Sequence, residues 1–378
     1  MKRRRFLGAT AMTIAAGHLG LLPARNFGET GVVEAAQREP RELAAIGRAT
    51  EWLNSPRLTA ASLRGKTVLV DFWTYTCINW LRTLPYVRAW SQKYQQGLTV
   101  IGVHTPEFPF EHDLDSVRRS VRQMNVPYPV VIDNDYSIWR AFRNQYWPAL
   151  YLIDAQGRIR DHQFGEGEYE RSERAIQRLL SEAGVTGFSN GIAPVETGGF
   201  EAAADWTNLR SPETYVLYDR SEGFASRDAA VLDRRHGYRA PGRLALNQWS
   251  LVGEWTIGKQ ATALNTPSGQ IVYRFHARDL HLVMGPARGA NPVRCRVTFD
   301  GQPPRVAHGL DVDESGSGTA SEQRLYQLIR QPKPIVDRTF AIEFLDAGVE
   351  AVSFTFGWAR RHIETPHASY ESIVYTFV

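Results

Sequence analysis

Cysteine is almost missing from this chain: 378 residues contain two, Cys77 and Cys295. That scarcity excludes a disulfide-stapled scaffold, and none of the ten histidines falls into a metal-ligand spacing. Phosphate-cradling glycine loops and dinucleotide fingerprints are missing too, so neither metal nor cofactor is expected. Repeats and low-complexity tracts are absent. The one long apolar run, Phe6 to Leu22, is broken by Gly8, Gly17, His18 and Gly20, which makes it a weak spanning helix.

What is present at the N-terminus reads as an address. Arg3-Arg4-Arg5-Phe6-Leu7 followed by that run has the twin-arginine export pattern, with Leu22-Pro23-Ala24 as the expected cleavage region. A periplasmic protein without a stable membrane span follows, with an uncleaved anchor as the alternative. The formal charge of +4 falls to −1 once Lys2, Arg3, Arg4, Arg5 and Arg25 are discounted. A nearly neutral mature protein carries no footprint for nucleic acid. The expected divisions are a signal segment over residues 1–25, a leader over 26–50, a first domain over 51–183, a linker over 184–212 and a second domain over 213–378.

The first domain alternates strands and helices, the pattern of a sheet with crossover helices. Strands are expected at Val68–Trp73, Leu98–His104, Tyr128–Ile132, Ala149–Asp154 and Ile159–Phe164. Helices are expected at Asn79–Gln95, Asp113–Met124 and Glu168–Ala183. After the Gly-, Ser- and Ala-rich linker, short alternating strands such as Ile271-x-Tyr273-x-Phe275 and Val352-x-Phe354-x-Phe356 predict an all-β sandwich or jelly roll. In Val293-x-Cys295-x-Val297-x-Phe299, Cys295 falls on the apolar face of a strand and reads as a small core residue.

Cys77 is different. A strand that delivers a cysteine directly onto the start of a helix sets the sulfur beside free N–H groups and the positive end of the helix dipole. Such a setting predicts a depressed pKa and a nucleophilic thiolate.

The surrounding residues carry a family likeness. Val70-Asp71-Phe72-Trp73, Cys77 and then Pro85 within the next helix resemble thioredoxin, as do Gly65-Lys66 ahead of the strand and Trp147-Pro148 ahead of Ala149–Leu152. The resemblance implies an α/β thioredoxin fold with a cis-proline, Pro148, facing Cys77. More narrowly, Trp73–Asn79, Gly102–Phe108, Phe164–Tyr169, Arg210–Tyr215, Leu244–Trp249 and Leu325–Arg330 are similar to the extracytoplasmic part of TlpA- and DipZ-type thiol-disulfide proteins. That likeness runs over essentially everything after residue 50. It implies redox-active-centre chemistry on periplasmic thiol or disulfide proteins or small thiols.

One departure outweighs the matches: where the family has its second cysteine, this chain has Trp80. No vicinal disulfide can close, so the expected chemistry is that of a single thiol, either exchange or isomerase-like reshuffling through mixed disulfides. Asp71 then has two readings, a proton relay beside Cys77 or a packed strand residue. His104 and Glu107 follow a strand end and are candidate acid/base groups, with Trp73, Thr74, Thr76, Asn79, Trp80, Trp147 and Pro148 as further neighbours of the cysteine. Two alternatives stand beside this. Thr74-x-x-Cys77 has the spacing of a peroxiredoxin site, although the proline of that motif would fall at Val70. A redox-inactive scaffold would bind extended chains along the Pro148 edge, with Trp80 as an apolar contact.

The second domain resembles the carbohydrate-binding-module-like domain of DipZ-type proteins. Tyr238, Trp249 and Trp255 are candidates for a glycan- or peptide-stacking platform, and Arg274, His276, Arg278 and His281 for a polar groove.

Overall fold

The computed structural model describes residues 41–49 and 51–357. The expected export segment and most of the expected leader lie outside the described residues. The end of the leader is a helix, α1 (Arg41–Arg48), which buries Leu43, Ala45 and Ile46. It is followed by β1 (Trp52–Leu53), α2 (Ala60–Leu63), β2 (Thr67–Trp73), α3 (Ile78–Lys93), β3 (Leu98–His104) and α4 (Leu114–Gln123). β4 (Val130–Ile132), α5 (Ser137–Phe142), β5 (Ala149–Ile153), β6 (Ile159–Phe164) and α6 (Tyr169–Glu182) complete the first domain.

These strands form one sheet in the order β1-β4-β3-β2-β5-β6. β2, β3 and β4 run parallel, β5 lies antiparallel beside β2, and β6 pairs antiparallel with β5. β2 is buried along its whole length, as its unbroken apolar run requires of a strand covered on both faces. Its alternation divides the core. Val68, Val70 and Phe72 pack with Leu43, Ile46, Ile138 and Phe142, while Leu69 and Trp73 pack toward Leu84, Val87 and Trp90 of α3. Asp71 shares the α3 side with Trp73. The sequence pattern misses α1 and α5 because both are short, and a single amphipathic turn or two carries little periodicity.

The second domain is all β: β7 (Thr214–Tyr215), β8 (Arg235–Tyr238), β9 (Trp249–Ile257), β10 (Thr262–Leu264), β11 (Gly269–Phe275), β12 (Asp279–Pro286), β13 (Val293–Phe299), β14 (Ser317–Ala320), β15 (Arg324–Arg330), β16 (Arg338–Phe344) and β17 (Val349–Thr355). The strands form one continuous sheet that folds back on itself, with β14-β13-β16-β11 on one side of β9 and β10-β17-β12-β15 on the other. β9 pairs with β11 through Trp249–Val252 and with β10 through Trp255–Ile257. Between them Gly253 adopts φ +93°, where an added Cβ would sit 3.1 Å from the Gly269 backbone. Only glycine suits that corner. The inward faces meet in one core, with Tyr273 stacked on Phe354 at 4.9 Å.

The two domains are joined rather than strung. The linker is tied down: both oxygens of the Glu173 carboxylate accept from the Ala193 N–H, and Lys93 and Tyr94 donate to one of them. Leu217, Val283, Leu325 and Val352 of the β domain belong to the same apolar cluster as Tyr75, Ile78 and Phe108 of the first domain. Beside this cluster Arg82 of α3 is buried, reaching Glu166 at 3.3 Å, Asp279 at 3.4 Å and the Phe356 carbonyl at 3.2 Å. A buried cation shared between acids of two domains is costly to orphan from either side. Arg82→Ala is expected to lower stability by about 3 kcal/mol or more, seen as a drop in the urea midpoint; an unchanged midpoint would show that this junction contributes nothing.

Candidate active site

Cys77 is the N-cap of α3, in extended conformation, and none of its own side-chain atoms caps the helix. Its sulfur is half-buried and faces the Trp147–Pro148 bond, which is cis. The thiol donates to the Trp147 carbonyl at 3.8 Å. Trp147 is itself anchored, its indole N–H donating to the Thr105 carbonyl at 3.0 Å. The helix-entry cysteine and the proline loop, 70 residues apart in the chain, are thus brought to one point.

The electrostatics run opposite to the sequence expectation. Desolvation pushes the Cys77 thiol well above its ordinary range, and the charges of Glu107 and Glu213 add to that push. The backbone N–H groups of Trp80 and Asn79 pull the other way and lose. The resting group is a protonated thiol, consistent with its donation to Trp147.

Trp80 is not a surface contact, as a binding scaffold would need. It is completely buried, stacked on Trp73 with 4.2 Å between ring centroids. Its indole N–H donates to the Asp71 carboxylate at 3.0 Å, and the Tyr128 hydroxyl donates to the same oxygen at 3.2 Å. Burial nevertheless dominates and raises the Asp71 carboxyl to about 7. Asp71 is fully buried and outside the residues lining the cleft over Cys77, so the packed-strand reading describes its surroundings. His104 corrects the expectation as well. It is fully buried between Trp73 and Tyr75, and burial drives its pKa to about 3, so it remains neutral and away from the cysteine. Thr74 is buried too.

The neighbours that do line the cleft are Thr76, Asn79, Glu107 and Trp147. Thr76 donates to Glu111 at 2.6 Å, while the second Glu111 oxygen accepts from the Glu107 and Phe108 backbone N–H groups. Glu111, fully buried and raised by that burial to about 7, ties the residue before the cysteine to the loop after β3. Sequence reasoning missed it; its only local signal is the spacing Pro109-Phe110-Glu111 just past the strand.

The opposite wall comes from the other domain. The Tyr215 hydroxyl and the Arg220 guanidinium both donate to Glu107, at 2.7 and 2.6 Å, and the guanidinium lies over the Tyr215 ring at 3.6 Å. Together with Arg210, Glu213 and Asn247 they close a cleft of about 820 Å³ above Cys77. By contrast the expected aromatic platform does not exist. Tyr238, Trp249 and Trp255 are buried, and the two indoles donate to the carbonyls of Glu222 and Val252. Each alternates in step with other inward residues of its strand, which turns its ring into the core. The proposed polar groove is dispersed as well: Arg274 and His276 share Asp337, Arg278 holds Asp279, and His281 is buried against the Thr355 carbonyl.

A parallel-centred sheet, a cysteine at a helix entrance and a facing cis-proline define the thioredoxin-like class, and the chain belongs to it as a thioredoxin-like, DipZ-related protein of two domains. Residues 52–162 match the AhpC/TSA family, and residues 211–357 match the thioredoxin like C-terminal domain. The chain is 37% identical to Protein DipZ of Mycobacterium tuberculosis over 263 residues, 67% of this chain and 36% of DipZ. It therefore spans about a third of that protein's length. It is 29% identical to the thiol-disulfide oxidoreductase YkuV of Bacillus subtilis over 131 residues, 35% of this chain and 88% of YkuV. A solution structure of a thioredoxin-like protein in the oxidized form is 31% identical, covering 36% of this chain and 90% of that one, with a TM-score of 0.33.

The buried Asp71 carboxyl has a consequence for stability. Raised in the folded state, it holds a proton that the unfolded chain has already lost between about pH 4 and 7, so its contribution favours the fold at low pH and fades as pH climbs through about 7. Asp71→Asn, uncharged throughout, is expected to gain about 2–3 kcal/mol on the natural chain between pH 5 and pH 8. Parallel stability curves for the two proteins across that interval would refute the assignment.

Proposed function

We propose that this protein carries out thiol-disulfide exchange through a single sulfur, Cys77, forming mixed disulfides with thiol or disulfide partners. The observation that carries this reading is the position of the Cys77 sulfur at the helix entrance, open to a cleft and facing the cis Trp147–Pro148 bond. With Trp80 three residues on, the step is an exchange without net redox change. The Cys77 thiol gives up its proton, its sulfur attacks one sulfur of a disulfide, and the other half departs as a thiol carrying that proton. Resolution comes from a second outside thiol, or from a further cysteine of the same partner, which suits reshuffling or adduct removal. The elevated thiol pKa sets a slow resting reactivity, since only the thiolate attacks.

We place this activity outside the cytoplasm. The Arg3-Arg4-Arg5-Phe6-Leu7 pattern supports export, and no helix among the described residues is long and apolar enough to cross a membrane.

Two measurements test the proposal. Incubation with an aromatic disulfide is expected to yield a one-to-one adduct on Cys77, persistent until an external thiol is added and absent from Cys77→Ser. The pH profile of Cys77 alkylation is expected to have its midpoint above the free-cysteine value of about 8.5. A thiol that stays unmodified even at the most alkaline pH at which the protein is still folded would sink the reading.

A further inference from the structure

The cleft above Cys77 contains more recognition chemistry than a single exchange step needs, and most of it is supplied by the β domain. Its volume, about 820 Å³, falls in the range of small-molecule sites, roughly 300–1,000 Å³. Its walls come from both domains, and Cys77 is among its lining residues. Charges of both signs line it. On one side Glu107 and Glu213 crowd a single guanidinium, Arg220, which is committed to Glu107 at 2.6 Å. Glu213 lines the same cleft, where desolvation and then the charge of Glu107 push its carboxyl upward. A cation arriving there would let it ionise. At the rim stands Arg210, exposed, lining the same cleft, and paired with no carboxylate among the described residues.

We infer that the cleft selects small zwitterionic disulfides of the α-amino-acid type, with Glu213 beside Glu107 taking the ammonium, Arg210 taking the carboxylate, and Cys77 meeting the disulfide. This rests on the exchange reading above and names its substrate class. The step balances as an exchange. The S–S bond of the substrate breaks and a Cys77–S–S–R bond forms, and the departing amino-acid thiol leaves with the Cys77 proton. Arg210 of the linker and Glu213 of the β domain thereby become specificity-determining residues of a site whose reactive sulfur belongs to the first domain.

Four disulfides separate the contributions: cystine, with both charges on each half; cystamine, with ammonium only; dithiodiglycolate, with carboxylate only; and hydroxyethyl disulfide, with neither. The adduct rate on Cys77 of the full-length protein is divided by the rate of the same disulfide with free 2-mercaptoethanol, which removes intrinsic reactivity. Cystine is expected to be fastest. Arg210→Ala should slow cystine and dithiodiglycolate roughly fivefold, the scale of one exposed ion pair, and leave the other two unchanged. Glu213→Gln should slow cystine and cystamine by a similar factor. Each variant's rates are read relative to its own rate with hydroxyethyl disulfide, which cancels whatever the loss of the Glu213 charge does to the Cys77 thiol itself. Equal normalised rates for all four compounds, or variants that slow all four alike, would overturn the inference while leaving exchange at Cys77 standing. If no disulfide labels Cys77, the exchange reading itself falls.

Discussion

The bond from the Trp80 indole to the Asp71 carboxylate governs the chemistry of this site. It sets a ring stacked on Trp73 three residues after Cys77, and it gives a buried carboxylate one of its two donors. A carboxyl in that dry position demands hydrogen bonds, because an unpartnered buried charge is far more costly than a bonded one. The tryptophan is therefore a structural member of the sheet-to-helix contact. The cysteine it leaves behind has no neighbour with which to close a ring.

A second constraint follows from the domain junction. Arg82, five positions after the N-cap Cys77, is shared between Glu166 of one domain and Asp279 of the other, and the apolar cluster lies beside this contact. The reactive helix is thereby held against the β domain. The Glu107–Tyr215–Arg220 contact fastens the far side of the same junction. The cleft above Cys77 takes part of its lining from the β domain. Acidic groups at the wall and burial at the floor together explain why the sulfur is held as a thiol despite its place at a helix entrance.

Much of this was legible before any coordinates. The sheet-forming runs, the position of Cys77 between strand and helix, the inward face of Cys295 and the facing Pro148 all follow from local pattern and family likeness. Other features had no local sign. Trp249 and Trp255 looked like candidates for a stacking surface because tryptophan suits such surfaces, yet both fall in step with inward residues such as Leu251 and Ile257, and burial follows from that alternation. His104 ends a strand where cleft residues commonly lie, but the rings of Trp73 and Tyr75 enclose it. Glu111 was overlooked because its partners, Thr76 and the turn backbone, are assembled only when the loop after β3 folds over the helix start.

By itself the sequence determined the kind of chemistry: one sulfur at a strand-to-helix junction, no partner three residues on, and a proline positioned to face it. These depend on short-range order along the chain, where spacing and secondary-structure period translate directly into geometry. The tertiary structure alone decided how acidic that sulfur is and what can reach it. Both depend on desolvation and on charges such as Glu107, Glu213 and Arg220, which lie up to 143 residues from Cys77 in the chain and meet only when the two domains pack together.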